Sequence, residues 1–312
     1  MNPASYRIES YISHVDVVIS GARGLIGSAL TASLHQDGHR VVRLVRGGLT
    51  GEDEIGWDPD SGRIDAPALE GVDAVVHLAG EGIGERKWTD AQKRRIRESR
   101  VRGTAALAGA VASREHKPRV FVSGSAIGYY GNRGDEVLSE SSDPGHGFLS
   151  DVCVAWEAET QPAADAGVRT VNVRTGIVLA KHGGALQQML LPFKLGIGGK
   201  QGSGKQWMSW IALADEVAAL RCAIDDERLH GPVNLTAPNP VTNAEFAHTL
   251  GRVLHRPTVL PTPLLPLKLR YGGELVEALL LASQRVAPTA LESVNFGYQY
   301  PVLQGALEAI LS

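Results

Sequence analysis

Cysteine is scarce in this chain. Two residues in 312, Cys153 and Cys222, lie far apart in sequence, which excludes a disulfide framework and makes a reducing cytoplasm the simplest home. No apolar stretch reaches the length of a bilayer span, and the first 14 residues lack the apolar core of a signal peptide. Neither sign of charge dominates: a formal net charge of -3 argues against a general nucleic-acid binder. The basic run Lys93, Arg94, Arg95, Arg97, Arg100, Arg102 is diluted by Asp90 and Glu98, so it reads as a solvated helix face, with Arg100 as the member that could turn inward toward a ligand. Metal ligands are missing as a pattern too, because His35 and His39 have i,i+4 spacing but Gly38 interrupts the helix between them. What remains, with 36 glycines and 43% hydrophobic content, is a chain able to bury one large α/β core with a smaller appendage.

The most informative stretch is VDVVIS-GARGLIG, from Val15 to Gly27. An apolar strand runs into three glycines spaced three apart, Gly21, Gly24 and Gly27, and an amphipathic helix follows. Glycines so placed permit a tight turn, let the backbone approach a pyrophosphate and allow close helix-strand packing, while the N–H groups of Leu25, Ile26 and Gly27 at the helix N-terminus face the negative charge. A glycine triplet can also be a plain turn; the flanking strand and helix carry the dinucleotide reading.

The second strand, HRVVRLVR from His39 to Arg46, bears on which dinucleotide is bound. An NAD site usually ends this strand with an acid that holds the ribose hydroxyls, and here Arg43 and Arg46 occupy the stretch, with Arg23 inside the glycine turn. Guanidinium groups suit a 2′-phosphate, so NADP(H) is favoured. The plainer alternative is that Arg43 and Arg46 are ordinary solvated strand residues alternating with Val42, Leu44 and Val45.

Strands and helices alternate beyond this point. A helix is expected over Gly24 to Gln36, a strand over Asp73 to Leu78, a long helix over Trp88 to Ser113, a strand over Arg119 to Ser123, a helix over Phe148 to Ala166 and a strand over Val168 to Val173. Such a βαβ series makes a Rossmann-type, doubly wound parallel sheet whose ligands sit beyond the carboxyl ends of the strands. That places Leu78, Ala79 and Gly80, then Ser125, then Arg174 among the site candidates. After Leu179 the texture becomes glycine-rich and aromatic; Ile211 to Ile224 and Val233 to Thr236 read as a helix and strand completing the sheet, and the rest is mostly helical and broken by Pro257, Pro261, Pro263 and Pro266. The expected organisation is an N-terminal arm (1–14), a nucleotide-binding domain (15–180 and about 211–237) and a small, mostly helical substrate or lid domain (about 181–210 and 238–312).

The ordered motifs GARGLIG at 21–27, HLAGEGI at 77–83, KWTDAQKRRIRESRVRGT at 87–104, SGSAIGYYG at 123–131, RTGIVL at 174–179 and APNPVTNAEF at 237–246 together resemble the extended short-chain dehydrogenases/reductases. More narrowly, they resemble the atypical branch labelled "epimerase family protein", over nearly everything from Val15 to Ser312. The wider superfamily implies a serine after the fourth strand, which Ser125 matches, and about two dozen residues on a Tyr-x-x-x-Lys on a helix. Either plausible register gives Phe148 with Val152, or Leu149 with Cys153. The pair is absent, as it is from the narrower branch. Tyr129 and Tyr130, just after Ser125, are the hydroxyls that could supply a proton, although buried tyrosines commonly just hydrogen-bond locally. The 183–210 segment, whose GKQGSGKQWMSW resembles the substrate-side loop of extended relatives, implies that Lys194, Lys205 and Gln206 read an anionic or polar group and that Trp207 or Trp210 stacks on a ring; such residues more often pack or solvate.

The resemblance implies hydride exchange between NADP(H) and a small-molecule substrate, a sugar nucleotide or another carbonyl compound, with no nucleic-acid or membrane partner. Loss of Tyr-x-x-x-Lys keeps a second reading open: a non-catalytic NADPH sensor or regulatory protein. The oligomeric state stays open.

Overall fold

The computed structural model describes residues 14–49 and 51–312, so residues 1–13 of the expected arm lie outside the described residues. Strand β1 (Asp16–Ser20) enters the glycine turn, helix α1 (Leu25–Gln36) leaves it, and β2 (Arg40–Val45) returns beside β1. Then come β3 (Glu54–Asp58), β4 (Arg63–Ile64), β5 (Ala74–His77), α2 (Asp90–Ala112), β6 (Val120–Ala126), β7 (Val137–Leu138), α3 (Phe148–Ala158), α4 (Gln161–Asp165) and β8 (Arg169–Thr175). The next elements are β9 (Ile177–Leu179), α5 (Gly184–Lys194), β10 (Trp207–Met208), β11 (Trp210–Ala212), α6 (Leu213–Asp225) and β12 (Gly231–Leu235). The chain closes with β13 (Val241–Thr242), α7 (Asn243–Val253), α8 (Leu264–Tyr271), α9 (Gly273–Val276), β14 (Arg285–Val286), α10 (Thr289–Ser293) and α11 (Leu303–Leu311).

Among the described residues eight strands form one sheet in the order β12-β8-β6-β5-β1-β2-β3-β4, parallel except for the last pair. This is the doubly wound fold that the motif order predicts. Strands covered on both faces must be apolar on both faces, and β1 reads VVIS with every residue from Val17 to Ser20 buried. On one face Val17, Ile19, Val41, Val76 and Val122 pack with Leu30 and Leu34 of α1 and Leu220 of α6. On the other, Val18, Val42, Leu44 and Val75 pack with Leu107 and Val111 of α2. A third core joins Leu186, Leu190 and Phe193 of α5 to Trp210, to Phe246 and Leu250 of α7, and to Leu303 and Leu307 of α11.

Ile211 and Ala212, expected to open a helix, belong instead to β11, and two larger departures from the sequence expectation shape the surroundings of the sheet. The helix expected over Phe148 to Ala166 is two, α3 and α4, because Pro162 lacks the N–H that would continue the ladder and its ring would clash with the carbonyl one turn back. The β3–β4 hairpin was not expected at all. Its short strands, EIGWD and RI, alternate too little to show a period, yet they extend the sheet's edge beside β2.

Candidate functional site

The strand order reverses between β1 and β5, so the loops leaving these two strands diverge and open a crevice at the sheet's carboxyl edge. Gly21 makes the turn after β1 with φ +71, where an added Cβ would lie 2.8 Å from the Leu78 carbonyl carbon. A Cβ at Gly27 would lie 2.3 Å from the Gly21 oxygen, so this glycine exists for packing. At Gly24 only the Gly21 oxygen, at 3.3 Å, comes near. Beyond that one tight backbone contact nothing comes within 4 Å of a Cβ added at Gly24, which is the N-cap of α1 without any side-chain cap. The first N–H groups of α1, on Leu25, Ile26 and Gly27, have no carbonyl one turn back to bond. The three glycines thus divide turn, approach and packing among them as a pyrophosphate cradle requires.

Sequence reasoning missed what ties the two loops together. Ser20 Oγ accepts from the N–H groups of Leu78 and Ala79 at 3.1 and 3.2 Å and lies 2.6 Å from Nδ1 of the buried His77. With both lone pairs of the hydroxyl used, its proton goes to Nδ1, which fixes the proton of His77 on Nε2. Complete burial pulls the His77 pKa down to about 4, so the ring is neutral and serves as a strut. Gly80, next along, sits against the guanidinium of Arg100. Arg100 turns off the solvated face of α2: it donates to the Glu81 carbonyl at 2.9 Å and stacks 5.0 Å over the Trp156 ring.

At the outer side of the crevice stand the three arginines expected to meet a 2′-phosphate. An acid is present after all, supplied by the neighbouring strand. Glu54 of β3 is in register with Arg43 and pairs with Arg43 at 3.0 Å and Arg23 at 3.6 Å. Its own side chain is 1% exposed, whereas that of Arg23 is 74% exposed. Arg46 is exposed and lines an open cavity of about 770 Å³ with Gly56, Trp57 and Arg63 of the β3–β4 hairpin.

Further along the edge, β6, β8 and β12 bring Ser125, Arg174 and Asn234 side by side in register. Ser125 donates to Glu157 of α3 at 2.6 Å. Arg174 clamps the same carboxylate through Nε and Nη2, each at 2.8 Å, and its guanidinium lies 3.4 Å from the centre of the Tyr129 ring. Arg174 is thus a buried structural cation. Glu157 carries no sequence signal, because only folding brings residues 32 apart together.

The structure corrects three expectations. Tyr130 is fully buried; its hydroxyl donates to Asn234 at 2.7 Å and accepts from Arg174 at 3.0 Å. Burial also raises its pKa, so its proton is committed away from any ligand. Trp210 stacks on nothing in a crevice: it is wholly buried in the third core, with Nε1 donating to the Asn239 carbonyl. Gln206 spends its amide on the carbonyls of Gln201 and Leu280. Lys194 and Lys205 are exposed on the α5 end and the following loop, whereas Tyr129 is half-buried beside Ser125. Of the two registers for the superfamily's tyrosine and lysine, Phe148 with Val152 or Leu149 with Cys153, both fall on α3, and Leu149 and Cys153 face Gly128. Phe148 and Leu149 join Ile83, Trp88, Tyr271 and Leu279 in an apolar cluster, and burial pushes the Cys153 thiol up to about 11, which leaves it no acid-base role near neutrality. Among the described residues no group of His, Cys, Asp or Glu could hold a metal ion, and no helix is long and apolar enough to cross a membrane.

Known proteins share this arrangement. The model of the NAD dependent epimerase/dehydratase family matches residues 17–235, and that of a C-terminal domain of unknown function, DUF1731, matches residues 262–310. The epimerase family protein MT2273 of Mycobacterium tuberculosis is 46% identical over 93% of this chain and 96% of its own. The crystal structure of human epimerase family protein SDR39U1 with NADPH superposes with a TM-score of 0.87 at 35% identity, over 95% of this chain and 99% of that one. The nucleoside-diphosphate sugar epimerase of Corynebacterium glutamicum superposes with a TM-score of 0.80 at 40% identity, over 96% of this chain and 58% of that one. With its crevice, its glycine turn and its C-terminal helices matched along nearly the whole length, the chain belongs to the NAD dependent epimerase/dehydratase family, in the branch of epimerase family proteins that end in a DUF1731 domain.

Proposed function

We propose that the protein binds NADP(H) in the β1–β5 crevice and exchanges hydride between the nicotinamide and a carbonyl or alcohol carbon of a small polar substrate, such as a sugar nucleotide. The observation that carries the reading is the graded glycine turn, with Gly24 crowded by the Gly21 oxygen alone and the cations Arg23 and Arg46 exposed at its outer side. The NADPH in human SDR39U1 supports the choice of coenzyme. On this reading the half-buried Tyr129 supplies the proton at the reacting end, and Ser125, whose own proton goes to Glu157 at 2.6 Å, can only accept there. The test incubates purified protein and NADPH with panels of ketones, aldehydes and nucleotide sugars while following nicotinamide absorbance and product isomers. Consumption of NADPH with one substrate class supports the reading, and inertness throughout contradicts it.

One observation favours a second reading, a coenzyme-binding regulatory protein. The α3 stripe that would carry the proton relay is apolar, and the Tyr130 hydroxyl is locked. That reading expects tight NADPH binding without turnover.

A further inference from the structure

On the reading that this crevice holds NADP(H), we propose that Glu54 sets the strength of the preference for the 2′-phosphorylated coenzyme by cancelling part of the positive charge that meets the phosphate. The carboxylate lies 3.0 Å from the Arg43 guanidinium and 3.6 Å from that of Arg23. Two guanidinium groups around one carboxylate leave a net charge of about one on the trio instead of two. With its side chain 1% exposed, the carboxylate is screened little by water or salt, so its field reaches whatever the two arginines grip.

A 2′-phosphate brings about 1.5 to 2 negative charges at neutral pH, whereas NADH offers a neutral hydroxyl at that place. The penalty from Glu54 therefore falls on NADPH and spares NADH. Two effects compete when Glu54 is changed, because the carboxylate also orients the arginines. Glutamine separates them: its amide oxygen still accepts from Arg43, and only the charge is lost. At separations of several ångströms and an effective dielectric of about 20, one charge alters affinity several-fold or more. Charge then wins over the small change in positioning, and E54Q becomes a gain-of-binding variant.

The experiment is calorimetric titration of the whole chain with NADPH and NADH. We expect E54Q to bind NADPH about fivefold more tightly than the unaltered protein and NADH within about twofold, with the gain shrinking as salt is added. R43Q should weaken NADPH binding, and R43Q/E54Q, which restores the net charge of the trio, should return to within about twofold of the unaltered protein. The double variant also keeps the test intact should E54Q alone fold poorly. Weaker or unchanged NADPH binding by folded E54Q, or a double variant that loses its NADPH preference, overturns the proposal while leaving the coenzyme reading in place. An unaltered protein that takes up neither coenzyme overturns both.

Discussion

Arg174 keeps 3% of its side chain exposed and Glu157 13%, so each charge depends on the other. Removing one partner of such a pair leaves an uncompensated buried charge, at a cost of about 3–5 kcal/mol. E157A is accordingly expected to lose about that much unfolding free energy in urea, whereas S125A, which leaves the clamp intact, loses about 1 kcal/mol. Equal losses would show that the clamp is not what holds this edge of the sheet.

Arg46 makes a complementary prediction about binding: R46A should weaken NADPH by about 1.5–3 kcal/mol and leave NADH nearly unchanged, read by the same titrations. Two other buried groups titrate against each other. The unfolded chain protonates His77 near the ordinary 6.5, while the folded protein resists until about 4, so stability falls by roughly 3 kcal/mol as pH drops through that window. Glu216 is the reverse: held at about 8 by complete burial against an ordinary 4.5, it loses stability as pH rises from 4.5 to 8, by roughly 4–5 kcal/mol. The two slopes cancel between 4.5 and 6.5, leaving a net decline from 6.5 to 8. E216Q should remove that decline and expose the acid-side loss due to His77 in melts across pH; an unchanged profile would contradict the assignment.

At the scale of elements, the glycine turn was legible in the sequence because its requirements are local: a positive φ at Gly21 and backbone contacts at Gly27 admit no side chain. The three positions also answer differently to change. G24A presses on a single backbone atom, the Gly21 oxygen at a tight 3.3 Å, so it should lose less melting temperature than G27A yet bind NADPH at least about tenfold more weakly. G27A, driven to 2.3 Å from a carbonyl oxygen, should lose stability first. Matched melting losses would mean that Gly24 serves packing and not the ligand. The β3–β4 hairpin escaped sequence reading for the opposite reason. Its strands are too short for a period, and its contribution, Glu54 beside Arg43, comes from pairing between strands. The acid absent from the end of β2 is therefore found on β3. Glu157 escaped in the same way, as did the Ser20–His77 strut, whose partners are 57 residues apart.

Taken whole, the molecule sets two cores against the faces of one sheet and a third among the C-terminal helices, with the apolar cluster of Ile96, Phe148 and Leu275 joining α2, α3 and α9. The order of glycine turn, arginine strand and Ser125 motif was enough to predict the sheet, because each βαβ unit has one favoured hand and ligands collect at the switch point. The chemistry at the reacting end was less legible: whether a tyrosine is free or locked depends on Asn234 and Arg174, which arrive from other strands. A ligand that binds only the folded chain at about 100 times its dissociation constant adds about 2.7 kcal/mol, so NADPH should also raise the melting temperature more than NADH does. The most direct test of the central claim is calorimetric titration of the folded protein with NADPH and, in parallel, NADH. The account predicts saturable uptake of NADPH at one site per chain with weaker uptake of NADH; folded protein that takes up neither coenzyme would contradict it.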